Sequence, residues 1–124
     1  MKYLLDTHVF LWWLNGDKRL QKSTKGLIED KNNIILVSVV AAWEISIKLS
    51  TKPHFKLKTS IKRAFEIAGF EIINITLPHV LTLHELPHYH KDPFDRMLIA
   101  QARTENLVLV TDDTKIKQYD VRVA

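Results

Sequence analysis

A chain of 124 residues, 46% hydrophobic and 26% charged, suits one globular domain spanning 1–124 and is too short for two. The absence of cysteine excludes a disulfide framework and thiolate metal sites, and no apolar run approaches the ~20 residues that cross a bilayer. The formal net charge of +4, from 18 basic and 14 acidic residues, is a mild attraction for polyanions that identifies none. An acid as early as Asp6 argues against a signal peptide, so the cytoplasm is the expected location and no membrane partner is expected.

Lys2-Tyr-Leu-Leu5 is a short apolar run ending at Asp6, and it predicts a strand. A helical pattern follows at once, with Val9, Phe10, Trp13 and Leu14 on one side. Asp6 therefore stands at the carboxyl end of a strand, where open α/β sheets keep their ligands. Asp6 or Thr7 is also placed to cap that helix, the plain structural role for either. Trp12 and Trp13 read as core and rim rather than as a base-stacking platform, and Asn15-Gly-Asp17 ends the helix. Leu20 to Asp30 has weak helical spacing with lysines facing outward, and Asn32-Asn33 turns the chain. Ile34-Ile-Leu-Val37 is continuous and apolar, as in a parallel strand covered on both faces.

Ser38 is placed to cap a helix from Val39 to about Ser50, in which Val40, Trp43 and Ile47 repeat with helical period. Glu44 lies between Trp43 and Ile45. A carboxylate among such neighbours is costly without a partner, and Lys48 at i+4 is one available partner. After the irregular stretch Thr51-Lys-Pro-His54, a helix is expected from Thr59 to Gly69, a strand at Phe70-Glu-Ile-Ile73 and a short helix from Pro78 to Leu86. His79, His84, His88 and His90 cluster in sequence, a weak metal signal without cysteine or a set helical interval.

His90-Lys-Asp-Pro-Phe-Asp-Arg-Met-Leu-Ile-Ala-Gln-Ala102 organises the rest of the chain. Asp92 can cap the amides of a helix, Pro93 fits its first position, and Asp95 sits in its first turn, where the helix dipole favours a carboxylate. The apolar run from Met97 to Ala100 predicts burial against a sheet, with Ala100 and Ala102 allowing close approach. Leu107-Val-Leu-Val110 reads as a strand ending at Thr111-Asp-Asp113, and a last short strand is expected around Val121 to Val123. The order β-α-α-β-α-α-β-α-α-β is an α/β plan with a largely parallel sheet and helices on both faces.

Asp6, Glu44, Asp95 and Asp113 come from four segments, each just past a strand or near the start of the next helix. A parallel sheet carries all those points to one edge, so the acids should converge. At about 4 Å and an effective dielectric near 20, each ionised pair costs on the order of 4 kcal/mol. That charge is met by raised pKa values or by hard divalent cations, and oxygen ligands suit Mg²⁺ or Mn²⁺. Carboxylate-held ions have a natural partner in phosphate, and two of them can drive in-line hydrolysis of a phosphodiester. A basic rim would then attract the nucleic-acid backbone.

Four pieces, in order and spanning nearly the whole chain, carry a resemblance: Leu4-Leu-Asp-Thr-His8, Ala42-Trp-Glu-Ile-Ser-Ile-Lys48, His90 to Ala102, and Leu109-Val-Thr-Asp-Asp113. Together they resemble the PIN-domain nucleases, and within them the VapC-type toxins of bacterial toxin–antitoxin pairs. The resemblance implies a PIN-like three-layer fold and Mg²⁺- or Mn²⁺-dependent endoribonuclease activity on an RNA substrate. It also implies a homodimer and inhibition by a cognate antitoxin protein. The metal-binding acids of the family correspond to Asp6, Glu44, Asp95 and Asp113. Asp113 is chosen over Asp112 because the family pattern puts the acid two residues after the threonine. Asp92 remains open between metal ligand and helix cap, and Thr7 and Lys48 are further candidates near metal or phosphate. Ile116 departs from the aromatic residue of many relatives, a difference of packing more than chemistry. A rival class is a catalytically silent PIN-fold module that binds RNA or protein. A phosphotransferase using Asp6 as nucleophile fits poorly, because Asp6-Thr-His8 lacks the second acid two residues on.

Overall fold

The computed structural model describes all 124 residues. Four short strands, β1 (Lys2–Leu5), β2 (Ile34–Ser38), β3 (Glu71–Ile73) and β4 (Val108–Val110), pair in the order β3-β2-β1-β4, and every pairing is parallel. Leu5 stands opposite Val37 on one side and Val110 on the other, so the strands reach their carboxyl ends nearly together.

Alternation along the strands explains the continuous apolar runs. Leu4, Leu36 and Leu109 face one core, while Leu5, Ile35, Val37 and Val110 face a second. Successive side chains point to opposite faces, and both faces are covered, so neither has room for the polar half of an alternating pattern. Helix pairs provide that cover between consecutive strands: α1 (Thr7–Asn15) with α2 (Lys22–Glu29), α3 (Val39–Thr51) with α4 (Ile61–Ala68), and α5 (Leu77–Glu85) with α6 (Pro93–Thr104). No helix is long and apolar enough to cross a membrane.

The local stop and start signals act as their chemistry dictates. Gly16 ends α1 in the left-handed region at φ 59°, a conformation that costs a side chain with a Cβ but not glycine. Ser38 Oγ accepts from the Val40 amide at 3.0 Å and so caps α3. Helix α6 is buried without interruption from Arg96 to Ala102, as its apolar run predicts. The last strand is reduced to a single parallel bridge between Leu109 and Val123.

The stripe expected on α3 is rotated. Val40, Ala41, Glu44 and Ile45 are buried, whereas Trp43 is 53% exposed and Ile47 is also at the surface. The period is helical as expected, but the small Ala41 is the side chain that allows close approach. Trp43 instead leans edge-on against Phe94 with centroids 4.9 Å apart.

Candidate active site

Asp6 follows β1 directly and begins α1. Its amide donates to the Val110 carbonyl at 3.0 Å, and its Oδ1 accepts from the Val9 amide at 2.8 Å. The cap explains the position, but not the environment. Burial pushes the Asp6 carboxyl up from 3.8 to about 6, against the pull of the Thr111 hydroxyl and the Val9 amide, and Asp112 and Glu44 add repulsion.

Asp95, one residue into the first turn of α6 beyond Pro93-Phe94, is pushed up to about 7. Burial is the main cause, followed by repulsion from Asp92 and Asp6, with His90 pulling the other way and Glu44 adding to the rise. Carboxylates from the end of β1, from α3 and from the start of α6 therefore share one electrostatic field. Glu44 is buried in it: Lys48 Nζ stands 3.3 Å from Oε2, while Oε1 has no hydrogen-bond partner. The i,i+4 ion pair expected for Glu44 exists, and it satisfies only one of the two oxygens.

Asp113 joins through His90. The imidazole Nε2 lies 2.9 Å from Asp95 Oδ2 and 3.1 Å from Asp113 Oδ2. On the other side of the ring, Nδ1 accepts from the Asp92 amide at 3.3 Å, which assigns the hydrogen to Nε2 as donor to the carboxylates. Asp113 is turned inward by its own loop: its amide donates to Thr111 Oγ1 at 3.1 Å and its Oδ1 accepts from the Lys115 amide at 2.9 Å. Asp112 is exposed.

A buried arginine holds His90 in place. Arg96 Nη1 donates to the Pro87 carbonyl at 2.7 Å and to Tyr119 Oη at 3.2 Å, and Nη2 reaches the carbonyls of Leu83 and Leu86. Tyr119 Oη in turn accepts from the His90 amide at 2.9 Å. The guanidinium thus ties the end of α5, the α5–α6 turn and Tyr119 together, with no carboxylate among its partners, and that turn presents the imidazole to the acids.

The other sequence candidates separate. Asp92 is a helix cap, its Oδ1 accepting from the amides of Phe94 and Asp95 at 2.8 and 3.1 Å. Thr7 Oγ1 is buried without a partner. The histidine cluster does not converge: His84 and His88 are exposed, and His79 is a fully buried tie whose Nε2 lies 2.9 Å from Glu105 Oε1. Only His90 reaches the acids. Sequence spacing singled it out no more than its neighbours, because its place depends on Arg96 and Tyr119.

The residues fit a hard divalent cation. Ligand atoms of His90, Asp95 and Asp113 all lie within 4.8 Å of one another, a spacing that can hold a metal ion once Nε2 gives up its hydrogen. The unpartnered Glu44 Oε1 is a buried acceptor that a cation would satisfy.

An acid-lined carboxyl edge on a parallel sheet, wrapped by helix pairs, defines an α/β protein with a cation-competent ligand crevice. The chain belongs to the PIN domain family, whose model matches residues 3–122. Among solved structures it is similar to VapBC2 from Rickettsia felis bound to a promoter DNA fragment, with a TM-score of 0.75 and 22% identity over 100% of this chain and 98% of that one. It is also similar to DNA-bound VapBC from Salmonella typhimurium, with a TM-score of 0.70 and 12% identity over 100% and 97% of the two chains. FitAcB from Neisseria gonorrhoeae gives a TM-score of 0.64 and 18% identity over 98% and 95%. No curated protein sequence matches the chain.

Proposed function

We infer that this chain is a metal-dependent endoribonuclease, the toxin of a toxin–antitoxin pair. It hydrolyses RNA phosphodiester bonds with Asp6, Glu44, Asp95 and Asp113 holding Mg²⁺ or Mn²⁺. The observation that carries this reading is the meeting of Asp6, Glu44 and Asp95 in one field, with Asp113 tied to Asp95 through His90. When bound, the cation supplies Lewis-acid polarisation of a phosphoryl oxygen and a lowered pKa for an attacking water. The chain's own part is positional. Val9 and the β4 carbonyl fix Asp6, the cap at Asp92 fixes the turn that carries Asp95, and His90 keeps Asp113 from swinging out with its loop. Lys48, beside Glu44, offsets charge at the same edge.

The toxin assignment is supported by the solved relatives, one of which is a toxin–antitoxin complex from Klebsiella pneumoniae. A homodimer and a cognate antitoxin agree with the apolar surface left uncovered: Leu77, Val80 and Leu81 on α5, and Trp43 and Ile47 on α3, are exposed. Such surface commonly marks protein contacts.

The test is incubation of antitoxin-free protein with total RNA in Mg²⁺, in Mn²⁺ and in chelator, followed by mapping of the new ends. Cleavage should need the cation. Asp95→Asn should lower it at least 100-fold, beyond the ~10–100-fold typical of residues that only support a metal ligand. Full cleavage by Asp95→Asn would remove Asp95 from the site, and RNA bound but uncut by the wild type with either cation would favour the silent module.

A further inference from the structure

A cleft of about 290 Å³ opens beside the acid edge. Its walls include Trp12 of α1, Arg19 in the loop after α1, Gln21 and Thr24 at the start of α2, and Asp112 and Lys117 beyond β4. Its inner end is continuous with the site: Thr111, whose hydroxyl acts on the Asp6 carboxyl, also lines it.

Trp12 has two planar neighbours, one tilted against its ring and one over its face. The exposed His8 ring lies 6.2 Å from the Trp12 ring, and the Arg19 guanidinium lies 5.2 Å over the centre of Trp12. Trp12 is only half-buried, so its indole is neither core nor a freely solvated rim residue. The Arg19 guanidinium covers part of one face, at the mouth of a polar cavity that the indole also lines.

Charge decides what the cleft accepts. Arg19 is already paired with Asp17 at 2.7 Å, and the cleft's other cation, Lys117, shares the lining with the acid Asp112. Little positive charge is left over for a phosphate. An aromatic face with amide and hydroxyl groups at Gln21 and Thr24 suits an uncharged heterocycle, and the volume, at the small end of the roughly 300–1,000 Å³ of ligand pockets, suits one ring system rather than several.

We propose that the Trp12 cleft is a nucleobase subsite, which stacks one unpaired base of the RNA strand beside the position where the acids cut. The proposal rests on the nuclease reading above. It makes Trp12 a specificity-determining residue and requires a single-stranded substrate, since a base inside a duplex has no free face.

The experiment measures binding of short fluorescein-labelled single-stranded oligoribonucleotides by anisotropy, with Ca²⁺ as the cation. Wild type, Trp12→Phe and Trp12→Ala are compared, each against an intact strand and a set with one abasic position moved along it. Trp12→Ala should weaken binding of the intact strand about 10-fold, and Trp12→Phe much less, because base–aromatic stacking tolerates a change of ring. One abasic position should cost the wild type about 10-fold and cost Trp12→Ala nothing further. Such non-additivity is expected when the missing base and the missing ring are partners, and a wild-type-like thermal melt of Trp12→Ala by circular dichroism separates it from loss of the folded site. Equal abasic penalties in wild type and Trp12→Ala, or unchanged binding by Trp12→Ala, would overturn the subsite and leave the nuclease standing. RNA neither bound nor cut by the wild type would overturn both.

Discussion

Two histidine–carboxylate contacts of the same length sit at opposite ends of the α5–α6 hairpin. His79 Nε2 lies 2.9 Å from Glu105, and His90 Nε2 lies 2.9 Å from Asp95. Both rings are oriented alike, with Nδ1 accepting from a nearby backbone amide, that of Thr76 for His79 and that of Asp92 for His90. The difference is in what surrounds the carboxylates. Glu105 is 46% exposed and stands alone, so water screens it and the contact is a tie between helices. Asp95 belongs to a group of buried acids that repel it, and His90 also touches Asp113. The same local motif is structural at one end and part of a chemical site at the other.

The contrast sharpens first through pH. In the folded chain Asp6 and Asp95 keep their protons to higher pH than in the unfolded chain, so the folded state binds more protons between about pH 4 and 7, and stability falls as pH rises through that window. For Asp6 the distance from 3.8 to about 6 corresponds to about 3 kcal/mol. Urea unfolding in chelator should show this loss, and Asp6→Asn, which keeps a cap for Val9, should remove its share. A profile flat from acid to alkaline pH would mean that the acids are not strained.

Replacement of His79 comes next. His79→Ala removes a fully buried ring and leaves the Thr76 amide without its acceptor, a loss of about 2 kcal/mol in the same unfolding measurement. Cleavage per folded molecule should not change, and a selective loss of activity would erase the distinction between the two contacts. The smallest effect belongs to His90→Ala: Mn²⁺ affinity by calorimetry should drop about 10-fold, with stability changed by less than the His79 variant. Tighter Mn²⁺ binding would instead mean that the imidazole competes with the cation for Asp95 and Asp113.

The alternating plan and the meeting of the acids were legible because both follow from local rules. Apolar runs of four residues ending in an acid fix the strand ends, and parallel order brings those ends to one edge. Asp92, Pro93 and Asp95 declare a helix start in any context. What the chain did not disclose depends on distant partners. Nothing in the spacing of four histidines separates His90 from His88, since the choice is made by Arg96 reaching across to the α5–α6 turn and Tyr119 arriving from the end of the chain. The exposure of Trp43 was hidden for a similar reason. A helical repeat gives the period of a buried stripe, whereas its phase is set by which neighbour arrives, here Phe94. The contact between Trp12 and Arg19 is likewise invisible to helical spacing, because Arg19 lies beyond the end of α1.

Asp6 starts α1 and Trp12 stands six residues along it. At ~1.5 Å per residue that is about 9 Å of axial length, and an α-helix pinned by its cap at one end and by packed Val9 and Phe10 along its flank does not stretch. The helix is therefore a ruler. A strand gripped at the indole and severed at the acids would be cut at a constant offset from the gripped base, and lengthening the ruler by one turn would shift that offset without touching either end.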